Sequence, residues 1–224
     1  MKRLSQLGGV LVTQLREGNI VGLIRNLRRR VYSTSRSFGL RRDLTSPYDV
    51  PTADIALSIR PLEQADVGIL LDTMQSPSRQ EMEDRVSRIL LVKRGLPTCF
   101  VAVDASGTPC FMQWLILPDQ NTRLQSIFHG GFPILEPDEA LLEDTYTHPR
   151  FRGKHIMAHA TGLIAEQARQ RGIRWLLTFV HESNSVSLKA NERAGFDPYV
   201  VRKEQWRFFR RSFEYTPLRP GGTS

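Results

Sequence analysis

Between His148 and Met157 the chain reads His-Pro-Arg-Phe-Arg-Gly-Lys-His-Ile-Met, with Arg150, Arg152 and Lys154 crowded around Gly153. The run falls where a strand-like pattern hands over to a helical one. A junction of that kind leaves backbone N–H groups unpaired at the helix start and adds the positive end of the helix dipole. An anion such as a pyrophosphate can take those hydrogen bonds. Arg152 and Lys154 would supply charge-assisted contacts to it. The plainer reading is a solvated basic turn, and these residues alone do not separate the two.

The elements around the loop give it a position. Leu141–Thr147 has the composition of a strand, and from Gly153 the period changes. Ile156, Met157, Ala160, Leu163, Ile164 and Ala168 then mark one face of a helix that ends at Gly172. Arg174–Val180 is a second strand, so strand, helix and strand form a right-handed crossover with two parallel strands. Ser185–Ala194 is a short helix closed by Gly195, and Tyr199–Tyr215 reads as two terminal strands among arginines. Upstream, a domain begins near Asp54 with a short strand over Ile55–Arg60. Two helices follow, Leu62–Met74 and Arg79–Lys93, the second with Ser78 as N-cap. Strands Thr98–Val103 and Pro109–Leu117 flank the Asp104-Ala-Ser-Gly107 turn. Residues 118–137 read as a loop or a further short strand.

The chain has 224 residues, 40% of them hydrophobic and 24% charged, and a net charge of +8. The charge sits at the ends. Residues 1–50 hold ten Lys/Arg against three Asp/Glu, residues 201–224 hold six against two, and the middle is slightly acidic. Such ends favour an anionic partner. Apolar residues from Leu4 to Val31 recur every three or four positions, which predicts an amphipathic helix ending in the arginines of 25–30. It either lies in an anionic membrane interface or packs on the domain. Residues 32–54, rich in Ser, Thr, Arg and Pro, read as a linker or an extended wrap. Domains are therefore expected at 1–53 (a basic arm and linker), 54–217 and a flexible tail at 218–224, with the arm removable without loss of ligand binding. Cys99 and Cys110 read as apolar fillers of a sheet rather than a disulfide. No stretch approaches a membrane span, and no signal-peptide pattern is complete, so a cytoplasmic protein is expected.

The order of elements and the motifs from Leu141 to Phe196 resemble the GNAT superfamily of acyl-coenzyme A-dependent N-acyltransferases. Pro149-Arg-Phe-Arg152-Gly153-Lys154 matches the approach to that family's phosphate loop. Asn184-x-x-Ser187 and Glu192-Arg-Ala-Gly195-Phe196 match its later pattern. His155 and Met157 stand where the family's glycines are usual. The resemblance implies an α/β (α+β) fold: a mixed, mostly antiparallel sheet with one parallel crossover and helices on both faces. It also implies acetyl-coenzyme A or another acyl-coenzyme A as donor, or an acyl carrier protein, and an amine of a small molecule or sugar as acceptor. The donor-binding residues it implies are Tyr146, Thr147, Arg152, Gly153, Lys154, His155, Ile156, Met157, Asn184 and Ser187.

Acyl transfer to an amine needs a base for the amine and a donor for the departing thiolate. The resemblance puts a carboxylate base on the strand before the loop, where Glu143 and Asp144 are adjacent. Strict alternation sets Leu142, Asp144 and Tyr146 on one face and Leu141, Glu143, Thr145 and Thr147 on the other. Glu143 is preferred, Asp144 is the alternative, and a simple ion pair with an arginine competes with both. Asn191 occupies the family's usual tyrosine position, leaving Tyr146 or Tyr199 as proton donors. His129 and His148 are loop histidines of the kind that can act as bases, and no residue cluster has metal-ligand spacing. Two other readings stand beside the enzyme. One is a catalytically silent module that binds acyl-coenzyme A or a protein. The other is a membrane or nucleic-acid binder acting through the basic ends, with Trp206, Phe208, Phe209 and Phe213 interleaved among arginines.

Overall fold

The computed structural model describes residues 28–71 and 79–218. The helical pattern of residues 4–31, apart from a helical turn at 28–31, lies outside the described residues, as do Ser78 and the tail from 219. One eight-stranded sheet organises the chain. Its strands are β1 (Tyr32–Asp43), β2 (Leu57–Pro61), β3 (Cys99–Asp104), β4 (Pro109–Ile116), β5 (Glu139–Thr147), β6 (Trp175–His181), β7 (Asp197–Arg207) and β8 (Arg210–Pro217). They run in the order β2-β3-β4-β5-β6-β1-β7-β8, and every pairing is antiparallel except β5 with β6.

The helices are α1 (Gln64–Leu71), α2 (Arg79–Lys93), α3 (Asn121–Phe128), α4 (Ile156–Arg169) and α5 (Ser185–Arg193). They divide the core into two layers. Leu70 and Leu71 of α1, Leu91 of α2 and Leu124 of α3 join Met112, Trp114, Ile116 and Leu141 on one face. Ile156, Ala160 and Ile164 of α4 join Phe111, Leu115 and Leu142 on the other. The mixed sheet with helices on both faces is the expected architecture. Cys99 and Cys110 are free and buried in opposite layers, where they act as apolar fillers.

Two expectations are corrected. Residues 118–137, read as a loop or strand, carry α3. The larger correction is β1: Tyr32–Asp43, read as part of a linker, lies inside the sheet between β6 and β7. The boundary at residue 54 therefore falls, and deleting residues 1–50 would remove an interior strand. Its composition hid it. Only Phe38 and Leu40 face the apolar layer around α4, and the long polar side chains find partners along the strand. Arg41 stacks over Trp175 at 4.6 Å and Tyr199 at 5.5 Å, while Arg42 covers Tyr48 at 4.0 Å. Gly39 is required by closeness, since a Cβ there would sit 2.4 Å from Val200 and 2.9 Å from Phe179.

Residues 44–54 are the wrap that the sequence suggested. Tyr48 packs on Gly195, and its hydroxyl donates to the Arg193 carbonyl. The Pro51 carbonyl lies 3.1 Å from His159 Nδ1, and Asp54 N donates to the Lys154 carbonyl at 3.1 Å. Val50 presses into the groove that Gly162 leaves on α4, where a Cβ would be 2.2 Å from a Val50 methyl. Alanine is normally preferred over glycine within a helix by about 1 kcal/mol. Here the clash with a stiff β-branched side chain outweighs that preference. Gly162→Ala is expected to cost about 1–3 kcal/mol, as overpacking does. In a Val50→Ala background the same substitution should become neutral or stabilising, as read by urea unfolding.

Candidate active site

The site begins with a fault in β5. Trp114 pairs with Glu143 and Met112 with Tyr146, so Gln113 opposes two residues, Asp144 and Thr145. Asp144 adopts φ +48°, a left-handed conformation uncommon outside glycine and asparagine. This is a β-bulge, and it breaks the alternation on which the sequence reading relied. Leu141 belongs to the layer under α1 and α2, Leu142 to the layer under α4, and Tyr146 again to the first. Asp144 accepts from Arg88 Nε of α2 at 2.9 Å, and Arg88 also lies 4.5 Å over the Tyr146 ring. Thr145 faces the other way, receiving Gln113 Nε2 at 2.7 Å, and Gln113 in turn accepts from Thr161 of α4 at 3.2 Å. Glu143 and Asp144, expected on opposite faces, therefore share one face of the sheet. The extra residue in the bulge is the physical reason.

The bulge also ends a pairing. β5 and β6 are joined in parallel from Glu139–Trp175 to Leu142–Thr178, yet β5 continues to Thr147 and β6 to His181. Past Leu142 the two strands part. The backbone of residues 143–147 then borders a gap on the β6 side while staying bonded to β4 through Thr147.

The two acids differ electrostatically. Burial, and then the neighbouring charge of Asp144, push the Glu143 carboxyl up to about 8, with Arg202 pulling against them. Asp144 is also raised by burial, but Arg88 opposes that through charge and hydrogen bond. The ion pair weighed against a catalytic role thus belongs to Asp144. Tyr146 is buried, and desolvation raises its phenol so that it stays protonated at neutral pH. Arg88, Tyr146 and Arg152 line a small cleft between α2 and β5 together with Glu81 and Asp84.

The basic loop leaves the end of β5 through His148, which is not a free base. Its ring is buried, Nδ1 accepts from Arg150 N at 3.3 Å, and its pKa is lowered by burial and then by Arg150 and Arg152. Arg152 is exposed and tethered by Nε to the Thr147 carbonyl at 3.4 Å and by Nη1 to Glu81 at 3.4 Å. Gly153 takes φ +79° and His155 φ +55°, on either side of Lys154. His155 therefore stands in a conformation that suits the glycine usual there. Its ring turns aside to Asp54, with Nδ1 3.1 Å from Oδ1. Ile156 is buried and Met157 packs against the same layer, so neither side chain crowds the amides of the first helical turn.

Asn184 and Ser187 hold the short helix: Asn184 Oδ1 accepts from Ser187 N at 3.1 Å as the N-cap of α5. Asn191 is buried and donates to the Ser187 carbonyl at 2.9 Å. Tyr199 lies elsewhere, beside Glu139 at the start of β5 and beneath Arg41, where burial and then Glu139 raise its pKa. His129 ends α3 in a left-handed conformation. Among the described residues no group of three or more His, Cys, Asp or Glu could hold a metal ion. No described helix is long and apolar enough to cross a membrane.

The sequence reading missed Arg88, Glu81 and Arg202. Arg202 lies 4.7 Å over Phe179 and 5.0 Å over Phe132, and donates to the Gly131 carbonyl at 2.5 Å. No local signal marks these residues, because they reach the site from α2 and β7, far from β5 along the chain.

An open-ended parallel crossover, a bulged strand and an amide-rich basic loop define the scaffold of the site. Residues 76–196 match the profile of the acetyltransferase (GNAT) family, and the chain belongs to that family. The chain is similar to a GCN5-related glucosamine N-acetyltransferase region of a fungal multi-domain GH3 β-N-acetylglucosaminidase. The identity is 14% and the TM-score 0.57, over 78% of this chain and 21% of that one. It is also similar to a tandem GNAT protein from the clavulanic acid biosynthesis pathway (17%, TM-score 0.50, 90% and 59%). A GNAT-family acetyltransferase from Colwellia psychrerythraea is comparably similar (17%, TM-score 0.50, 85% and 62%). At such identities the likeness establishes the fold. The chain spans from about a fifth to less than two thirds of the length of these three relatives. A comparison with curated proteins gave no match.

The Arg88–Asp144 contact sets the local charge balance. Arg88→Met leaves a partly buried carboxylate without its cation and is expected to lower stability by about 1–3 kcal/mol near neutral pH. A carboxyl whose folded pKa is raised loses folded-state stability as pH climbs past its unfolded value. The deficit should therefore shrink in acid and largely vanish in Arg88→Met/Asp144→Asn, as measured by urea unfolding across pH.

Proposed function

We propose that the protein is an N-acyltransferase that moves an acyl group, acetyl in the simplest case, from acyl-coenzyme A to an amine of a small molecule or sugar. The observation that carries this reading is Glu143: a carboxyl with a raised pKa, beside the gap where β5 and β6 part. A base that titrates near the working pH is well matched to taking a proton from an amine. The donor fits the residues present. Gly153 and the first-turn amides from Ile156 onward, with Arg152 and Lys154 beside them, would hold its pyrophosphate. The exposed edge of residues 144–147 would bond its pantetheine arm. Bound there, the donor supplies a thioester whose carbonyl carbon the amine attacks.

In this reading Glu143 accepts the proton that the amine loses as its nitrogen bonds to the acyl carbon and the carbon–sulfur bond breaks. Tyr146, kept protonated by burial, is the candidate donor to the departing thiolate. Arg88 neutralises Asp144, so that one negative charge rather than two faces the acceptor. Asp144 remains a tether for Arg88 in this scheme, not the base.

The buried Asn191, whose amide nitrogen is given to the Ser187 carbonyl, favours one other reading, a GNAT-like module that binds acyl-coenzyme A without turnover. Calorimetry with acetyl-coenzyme A, followed by thiol release with pooled amines, separates the two. Absence of binding at high micromolar donor would overturn both, and binding without thiol release would favour the silent module.

With an acceptor in hand, the rate should rise with pH through about 8 as Glu143 loses its proton. Glu143→Gln is expected to lower kcat/KM on the order of 10²-fold or more and to abolish that limb of the profile. A variant that kept both the rate and the limb would remove Glu143 from the mechanism.

A further inference from the structure

We propose that the tip of the β7–β8 hairpin, with residues 28–32 that pack beside it, is a wedge that docks on an anionic lipid surface. Phe208 and Phe209 form a two-residue turn between the paired Arg207 and Arg210. Their φ angles of +47° and +65° describe a mirror-image turn that ordinarily selects Asn-Gly. Two adjacent phenylalanines thus occupy a conformation that disfavours them, and the fold does not bury them. Phe208 is 81% exposed and Phe209 58%. An outlier of that kind is a reason to look for a role.

The surroundings give the tip its chemistry. The amides of Phe208 and Phe209 donate to the carbonyls of Val31 and Arg30, both at 2.8 Å, so residues 28–32 lie against the turn. Val31 and Tyr32 are exposed there as well, Tyr32 by 69%. Arg207 and Arg210 flank the turn, Arg30 and Arg211 lie over Trp206 beside it, and Arg29 reaches toward Glu204. Glu204, the carboxylate among them, bonds Arg211 at 2.9 Å and lies 4.0 Å from Arg29. Aromatic side chains that project from a ring of arginines match a bilayer interface, where rings enter the acyl boundary and guanidinium groups meet lipid phosphates.

Single-stranded nucleic acid is less well served. Base stacking needs open aromatic faces along a groove. Trp206 instead lies under Arg30 at 5.5 Å and Arg211 at 5.7 Å, with its N–H given to Glu204. Phe213 is covered by Arg211 at 4.5 Å. The two free rings stand at a convex tip.

Register fixes where the tip points. His181, the end of β6, pairs with Ser37, and Tyr32 pairs with Arg207 five residues further along β1. The wedge thus extends about 16 Å past His181 at the rise of a strand. That is the end of the sheet at which β5 and β6 part. The inference stands whether or not the chain transfers acyl groups.

The test is co-sedimentation of the full chain with vesicles of phosphatidylglycerol and phosphatidylcholine, and with phosphatidylcholine alone. Binding is expected to the anionic vesicles, to weaken with salt, and to fall about tenfold or more in Phe208→Asn/Phe209→Gly. Because Asn-Gly suits the turn, that variant should melt at the native temperature or above. Phe208→Ser, which keeps the second ring, should lose part of the binding. The proposal is overturned if the native chain does not bind anionic vesicles or binds neutral ones equally well. Equal binding by the double variant, or binding to a single-stranded oligonucleotide without binding to vesicles, would overturn it too.

Discussion

One extra residue in β5 governs this structure. A regular strand at that position would pair with β4 and β6 along its whole length and send Glu143 and Asp144 to opposite faces. The bulge at Asp144 removes both outcomes. It frees the strand edge beside β6 and gathers two carboxylates into one environment. The desolvation that raises Glu143 and the charge that draws in Arg88 both follow from that gathering. Backbone strain and burial act together here, and the fold holds the strained residue by a hydrogen-bonded arginine on one side and the β4 ladder on the other.

The bulge requires a rigid frame, and much of the frame comes from the N-terminal part of the described chain. β1 joins β6 to β7, so the end of the crossover is tied into a continuous sheet. The segment after β1 then crosses α5 and α4, with Tyr48 over Gly195 and Val50 in the notch of Gly162. Its last contact is at the basic loop, where Asp54 takes the Lys154 carbonyl through its amide and His155 through its carboxylate. A loop with two left-handed residues would be free to rearrange if unsupported. Here its helix is clamped from outside, and its amides can stay aligned without a ligand to order them.

Several features were legible because local pattern and tertiary need agree. The apolar period from Ile156 to Ala168 gave α4, the turn at Asp104–Gly107 gave a hairpin, and the loop motif gave Gly153 its place. β1 was misread because its length and polarity mimic a linker: arginines that stack on Trp175, Tyr199 and Tyr48 look, in sequence, like arginines in water. α3 was missed in a region punctuated by glycine and proline. Tyr199 was assigned near the site by its chemistry alone, while its strand carries it to the start of β5.

By itself the sequence determined the crossover and the elements that flank the basic loop, because hydrophobic period, capping residues and glycine positions act over a few residues, while the class of sheet came from the resemblance of its motifs to a family. Only the tertiary structure decided which carboxyl is tethered and which is left with a raised pKa. A bulge is a property of two strands in register, and the partners that tell Glu143 from Asp144 come from α2 and β7, far along the chain. The same holds at the hairpin tip. Sequence supplied aromatics among arginines, and the fold determined that Trp206 and Phe213 are covered while Phe208 and Phe209 are bare.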